Sequence, residues 1–277
     1  MLYYHAVRPD QRAGFARQMD LLLRVGRPWC LDARPPDGQG PFVAVTFDDG
    51  FVSVIENALP ELKKRGIPVT LFVPTGFWGE HPGWIKSPSH PFWQERVVSR
   101  EELRQIAAEP LITIGSHTIS HPNLLRVSAQ EAARELTASK AELENLLGRQ
   151  VEWFSFPHGA YNASLVRLAL EAGYRRLFTI EPTLLDPGVV NGRVAVDPDD
   201  WPLEFFLKIH GAYRWQARKS SQIIQRHRGK MEEGRYKMEA TAMTPSLKGR
   251  FFSSIFHLDL AMLHSMSLKA STFCTKG

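Results

Sequence analysis

Three short segments combine side chains that can hold a cation, move a proton or stabilise a developing charge. The first is Thr46-Phe47-Asp48-Asp49-Gly50, where the apolar run PFVAV leads into two adjacent carboxylates. Neighbouring residues of a strand point to opposite faces, but a turn at the strand end can aim both at one pocket, and Gly50 supplies the permissive backbone. Two like charges this close are unfavourable unless a cation or a shared proton offsets them. The structural alternative is an acidic helix start, because Asp caps helices. The second segment is Ser116-His117-Thr118-Ile119-Ser120-His121, directly after the apolar run LITIG. Histidines four apart share a face where the chain coils, and neutral imidazole is a common metal ligand. Taken alone, such a pair is more often structural. With a carboxylate at another strand end, two His and one Asp make a three-ligand site with open positions. The third is Phe154-Ser155-Phe156-Pro157-His158-Gly159, another apolar run ending in a turn. Backbone N–H groups at such a turn can bind an oxyanion; in isolation it reads as a Pro-Gly turn.

These segments need elements to position them. The strand candidates are Leu2–His5, Phe42–Phe47, Val69–Val73, Leu111–Ile114, Trp153–Phe156 and Leu177–Thr179, with a seventh near Arg193–Val196. Several are continuous apolar runs, as expected of strands covered on both faces. Between them, helices are expected over Pro9–Val25, Val52–Lys64, Ser99–Ala108, Ser128–Leu147 and Asn162–Ala172. Ser99 and Ser128 each precede an acidic residue three positions on, the pattern of a capping box. Repeated alternation of strand and helix implies parallel strands with helical crossovers, so an α/β barrel or an open doubly wound sheet, with function gathered at strand ends. Two loops stand out: Gly26–Pro41, read as a connector, and Gly76–Pro91, whose Trp78 and Trp84, with Trp93 just beyond, can stack on sugar rings or simply cover a barrel end.

The chain has 277 residues, 43% hydrophobic and 23% charged, enough for one large α/β domain and an extension. The net charge of +5 is uneven: residues 216–277 hold 11 Lys/Arg against 4 Asp/Glu, whereas 1–215 hold 23 against 25. This split argues against reading the body as a nucleic-acid binder, which should carry its basic patch on the folded face. The strand–helix pattern stops after Trp215, so 1–215 is expected to be one folded domain and 216–277 a basic extension, disordered or helical. Cys30 and Cys274, far apart in sequence, are expected to form neither a disulfide framework nor a zinc cluster. No apolar stretch reaches the roughly 18 residues of a transmembrane helix. The opening MLYYHAVRPD lacks a basic and then apolar leader, so the default expectation is a cytoplasmic protein.

Taken together and in order, the three segments resemble the motifs of the polysaccharide deacetylase family, also called the NodB-homology domain or carbohydrate esterase family 4. Thr46–Gly50 matches the first motif in full, and His117–His121 matches the second, His-Ser/Thr-x-x-His. Ser155-Phe-Pro-His-Gly stands where the third usually reads Arg-x-Pro-Tyr-Gly. The resemblance, over roughly residues 1–215, implies that this part is the catalytic domain, a distorted (β/α)7 barrel of the NodB-homology type that removes N-acetyl groups from an N-acetylated poly- or oligosaccharide. It implies a divalent metal, usually zinc, held by Asp49, His117 and His121. Asp48 is then the general base, and Pro157 and His158 contact substrate, with the His158 N–H toward the oxyanion. The expected partner is a carbohydrate, not a nucleic acid.

The departures leave questions open. The third-motif arginine, which orients the base in relatives, is replaced by Ser155; Arg193 is a secondary candidate to fill its place in space. Asp197-Pro-Asp-Asp200-Trp201 is similar to an acidic-tryptophan motif of the family, which makes His210 a candidate acid and a helix-surface histidine the alternative. His5, in LYYHAV, reads as a structural hydrogen-bonding residue. Two other readings stay open: hydrolysis of another amide or cyclic-amide bond, and an inactive glycan-binding member.

Overall fold

The structure is a computed structural model that describes residues 1–31, 41–182 and 189–212. The strands are β1 (Leu2–Tyr4), β2 (Arg27–Pro28), β3 (Phe42–Val43), β4 (Val45–Phe47), β5 (Val69–Val73), β6 (Ile112–Ser116), β7 (Trp153–Ser155), β8 (Arg176–Thr179), β9 (Val190–Gly192) and β10 (Val194–Ala195). The helices are α1 (Arg12–Val25), α2 (Leu59–Arg65), α3 (Arg100–Ala107), α4 (Ala129–Leu147), α5 (Ala163–Glu171) and α6 (Pro202–Ile209). Eight strands form one parallel sheet in the order β10-β1-β4-β5-β6-β7-β8-β9. Its two edge strands are halves of one run, interrupted at Arg193: β9 pairs with β8, and β10 pairs with β1. That run brings the edges together, so eight strands make seven staves, and the expected (β/α)7 barrel is what forms. The extension at 216–277 lies outside the described residues.

Period-2 alternation separates two layers. Leu2, Tyr4, Val45, Phe47, Val69, Leu71, Val73, Ile112, Ile114, Phe154 and Leu177 turn outward into the large core beneath the helices; Tyr4 and Phe47 meet Phe15 of α1 there. Ala44, Phe72, Trp153 and Phe178 turn inward into a second cluster, joined by Trp29 and Leu31. Both layers are apolar, which is why the strands read as continuous hydrophobic runs. Gly115 sits on the inner face, where an added Cβ would come within 2.5 Å of the Phe72 ring and 3.1 Å of the Trp153 carbonyl oxygen. Gly115→Ala is therefore expected to cost about 1–3 kcal/mol by overpacking, read as a lowered Tm in thermal denaturation; an unchanged Tm would mean that the ring yields freely.

The strand expected over Phe42–Phe47 divides at Ala44, because β3 leaves the barrel to pair with β2 while β4 pairs with β1 and β5. The connector Gly26–Pro41 contains β2, and its residues 32–40 lie outside the described ones. The helix expected over Val52–Lys64 carries a π-helical stretch, Val54–Ala58, before α2, and Gly66 ends it in a left-handed C-cap. Ser99 forms a full capping box with Glu102. Ser128 caps α4 through the Glu131 N–H alone, since the Glu131 carboxylate bonds Arg134 instead. An expectation missed α6, which packs on α1. No helix among the described residues is long and apolar enough to cross a membrane.

Candidate active site

All three segments lie just beyond the C-terminal ends of barrel strands: Asp48 and Asp49 after β4, His117 and His121 after β6, Pro157 and His158 after β7. They also contain every non-glycine residue with positive φ among those described: Asp49 (69°), Thr118 (68°), His121 (57°) and His158 (58°). Such conformations cost free energy and persist only where surrounding structure imposes them. Here they turn consecutive side chains into one buried pocket, as Asp48 and Asp49 require.

Asp49, His117 and His121 are buried, and their ligand atoms lie within 4.8 Å of one another. Asp49 Oδ1 has no hydrogen-bond partner, yet it stands 3.2 Å from His121 Nε2 and 3.5 Å from His117 Nε2. His117 Nδ1 lies 2.8 Å from the Ser155 carbonyl oxygen. A carbonyl can only accept, so Nδ1 carries the hydrogen, and in the neutral ring Nε2 presents its lone pair toward Asp49. Three electron-rich atoms thus converge on one point, an arrangement that suits a cation or a proton between them. Two imidazole nitrogens and one carboxylate oxygen are the donor set of a three-ligand zinc-type site. Burial pushes the Asp49 carboxyl up, but the facing imidazoles more than reverse this and hold it well below the usual range. Burial lowers His121, whereas at His117 it is outweighed by Asp49 and Asp48, which raise the ring.

Asp48 faces a different partner. Arg193, completely buried, donates from Nη1 to Asp48 Oδ1 and from Nη2 to Asp48 Oδ2, both at 2.7 Å. It also donates to Thr46 Oγ1 (3.0 Å), Ser155 Oγ (2.7 Å) and the Thr179 carbonyl (3.3 Å). All five guanidinium N–H groups are thereby used. The side chain rises through the barrel between the rings of Tyr3, Phe72 and Phe178. Ser155 Oγ donates in turn to Asp48 Oδ2 at 3.3 Å. The third segment holds no arginine; the guanidinium beside Asp48 is that of Arg193 from the β9–β10 run, with Ser155 bonded to both. Burial pushes the Asp48 carboxyl up; the charges of Arg193 and His117 and the Arg193 hydrogen bonds overcome it, and the net shift is downward.

Pro157 is buried, and His158 beside it is exposed, its ring roughly perpendicular to that of His121 with the centroids 4.7 Å apart. Burial, then His121 and His117, lower the His158 ring. Of the loop tryptophans, Trp84 stacks on His121 at 4.6 Å, so it borders the site. Trp78 turns away to Glu142 and Arg100, and Trp93 packs on His81. The acidic-tryptophan segment does not reach the pocket. Asp197 and Asp199 accept from Gln11, Asp200 binds Lys208, and Trp201 is 77% exposed. His210 caps α6, exposed, bonded to the Phe206 carbonyl and stacked on the Phe206 ring; it is the helix-surface histidine of the alternative. His5, read as structural, stands just past β1 with its ring against those of Tyr3 and Phe92.

Sequence comparison matches residues 36–177 to the family described as polysaccharide deacetylase. The protein YxkH of Bacillus subtilis (strain 168) is 32% identical over 140 residues, covering 50% of this chain and 45% of its own length. The poly-beta-1,6-N-acetyl-D-glucosamine N-deacetylase of Staphylococcus aureus (strain MRSA252) is 28% identical over 153 residues, 52% of this chain and 50% of that protein. The chain thus spans about half the length of these curated relatives. Among solved structures, IcaB from Ammonifex degensii aligns with a TM-score of 0.64 at 29% identity, over 77% of this chain and 95% of that one. The Streptococcus pyogenes deacetylase PplD, solved with acetate, shares the fold: TM-score 0.60, 19% identity, 75% of this chain and 96% of its own.

Proposed function

We propose that this chain, which belongs to the polysaccharide deacetylase family, is a metal-dependent hydrolase that removes N-acetyl groups from an N-acetylated poly- or oligosaccharide, with residues 1–215 as its catalytic unit. The observation that carries this reading is the juxtaposition of two differently prepared carboxylates: Asp49 among two histidines, and Asp48 clamped by Arg193. The likeness to an N-deacetylase of poly-N-acetylglucosamine supports that class of substrate.

A divalent metal at Asp49, His117 and His121, zinc by the donor set, would supply a lowered pKa for water and polarisation of the acetyl carbonyl. The remaining roles fall to the chain. Asp48, kept ionised by Arg193, takes the proton of the attacking water. Ser155 and Arg193 fix its two oxygens, so the base is oriented before substrate arrives. The His158 backbone N–H, presented by the turn at Pro157, stabilises the oxyanion. The departing amine needs a proton, which Asp48 holds once it has deprotonated the water. Trp84 walls off one side of the pocket, beside the sugar whose acetyl group enters.

The test is acetate release from N-acetylglucosamine oligomers by metal-stripped protein, with zinc or cobalt added back. We expect about one metal equivalent to bind, as a three-ligand site holds one ion, and activity to return with it. His117→Ala should lose both. A protein that binds no metal, or that releases acetate equally well when stripped, would contradict the proposal.

A further inference from the structure

We propose that Glu135 of α4 is a positioning residue that sets the two histidines for their metal, an inference that rests on the Asp49–His117–His121 reading above. Glu135 is 1% exposed, and a glutamate so deeply buried must have its charge compensated. Its donors all come from the four-residue turn that ends in His121. Oε2 accepts the Ile119 N–H at 2.7 Å and the Ser120 N–H at 2.9 Å, and Oε1 accepts the Ser120 hydroxyl at 2.6 Å. Both flanking residues, Thr118 and His121, hold left-handed backbone. Thr118 Oγ1 spans that turn from within by accepting the His121 N–H at 3.1 Å.

The same helix grips the other side of His117. Ser116 Oγ donates to Ser139 Oγ at 2.9 Å, and the Tyr174 hydroxyl donates to the Leu136 carbonyl at 3.0 Å. One face of α4 therefore fixes the residue before His117 and the two before His121. Glu135 supplies two acceptor atoms to a turn whose N–H groups point inward, away from any strand ladder. Without those acceptors the Ile119 and Ser120 N–H groups are left unpaired, the turn is held only by the Thr118 Oγ1 bond and by the Thr75 and Gly76 N–H groups on its carbonyls, and the spacing of the imidazoles would relax. Outer groups that orient metal ligands typically carry a tenfold to hundredfold effect on metal affinity.

Glutamine separates geometry from charge. Its carboxamide oxygen can keep both backbone N–H bonds while its NH2 donates to Ser120 Oγ. Leucine keeps the bulk and removes every acceptor. The experiment measures zinc affinity by competition with a chromophoric chelator, the cobalt(II) visible spectrum, and the melting of metal-free full-length protein. Glu135→Leu is expected to weaken zinc binding by about ten- to a hundredfold and to alter the cobalt spectrum, while Glu135→Gln retains both. A folded Glu135→Leu protein with wild-type affinity would overturn the inference, as would Glu135→Gln that binds as weakly as Glu135→Leu. A wild-type protein without zinc affinity would overturn the metal reading itself. If Glu135→Leu does not fold, hydrogen exchange of the metal-free wild type decides: protected amides at Ile119 and Ser120 agree with the role, and unprotected ones remove it.

Discussion

Arg193→Met is expected to destabilise the protein by about 3–5 kcal/mol, the cost of stranding a buried charge when its partner is removed. The loss should exceed that of any surface ion pair in this chain, because Arg193 and Asp48 are both buried and the guanidinium has no bond to water among its five. The effect depends on pH with a definite sign. The Asp48 carboxyl is lowered in the folded state, so the unfolded chain takes up its proton first as pH falls. The stabilisation is complete above the unfolded value near 3.9 and is lost as pH falls through the folded value. Urea unfolding of wild type and Arg193→Met should therefore differ most at neutral pH and above, with the gap narrowing as pH falls, because in the variant burial acts on Asp48 without Arg193 to offset it and raises the carboxyl. A gap that widened on acidification would mean that Asp48 is not the group stabilised by Arg193.

The same pair shows why the sequence discloses some of this site and hides the rest. Asp48, Asp49, His117 and His121 were legible because each follows a recognisable apolar strand, and a strand end fixes where the next residues point. The barrel was legible for the same reason: strands buried on both faces are written as unbroken apolar runs. Arg193 was hard to rank because its significance is purely spatial. It lies 145 residues from Asp48, and it interrupts a strand that pairs on its two sides with β8 and β1. Nothing local announces that closing a barrel carries this side chain to its axis. Residue 155 alone suggested a weakened site; in three dimensions the serine is the bridge between Asp48 and Arg193. His210 failed in the opposite way. A familiar acidic-tryptophan pattern stood nearby, but its aspartates are used by Gln11 and Lys208 to dock α6, and the histidine that follows is left on the surface. Glu135 sits within an ordinary amphipathic helix, where a glutamate reads as solvent-facing until the loop it holds is seen.

Asp48→Asn is expected to lower kcat by about a hundred- to ten-thousandfold, the usual contribution of a positioned general base, while leaving metal binding intact. That pattern is the reverse of His117→Ala, in which metal itself is lost. The difficulty is that Asp48→Asn also disrupts the clamp, since an amide offers its N–H group where Arg193 needs an acceptor. Loss of activity could then reflect a loosened barrel. The double variant Asp48→Asn/Arg193→Met resolves this, because residues in direct contact couple and a double-mutant cycle measures the coupling. With neither charge left in the barrel, stability should recover most of what either single variant loses. Activity should not recover at all, because no carboxylate remains to accept the proton of the attacking water. A double variant that regained both would reduce Asp48 to a structural anion and require the proton to leave by another group. One that regained stability alone, still holding its metal, would assign the barrel's integrity to the pair and the chemistry to the carboxylate.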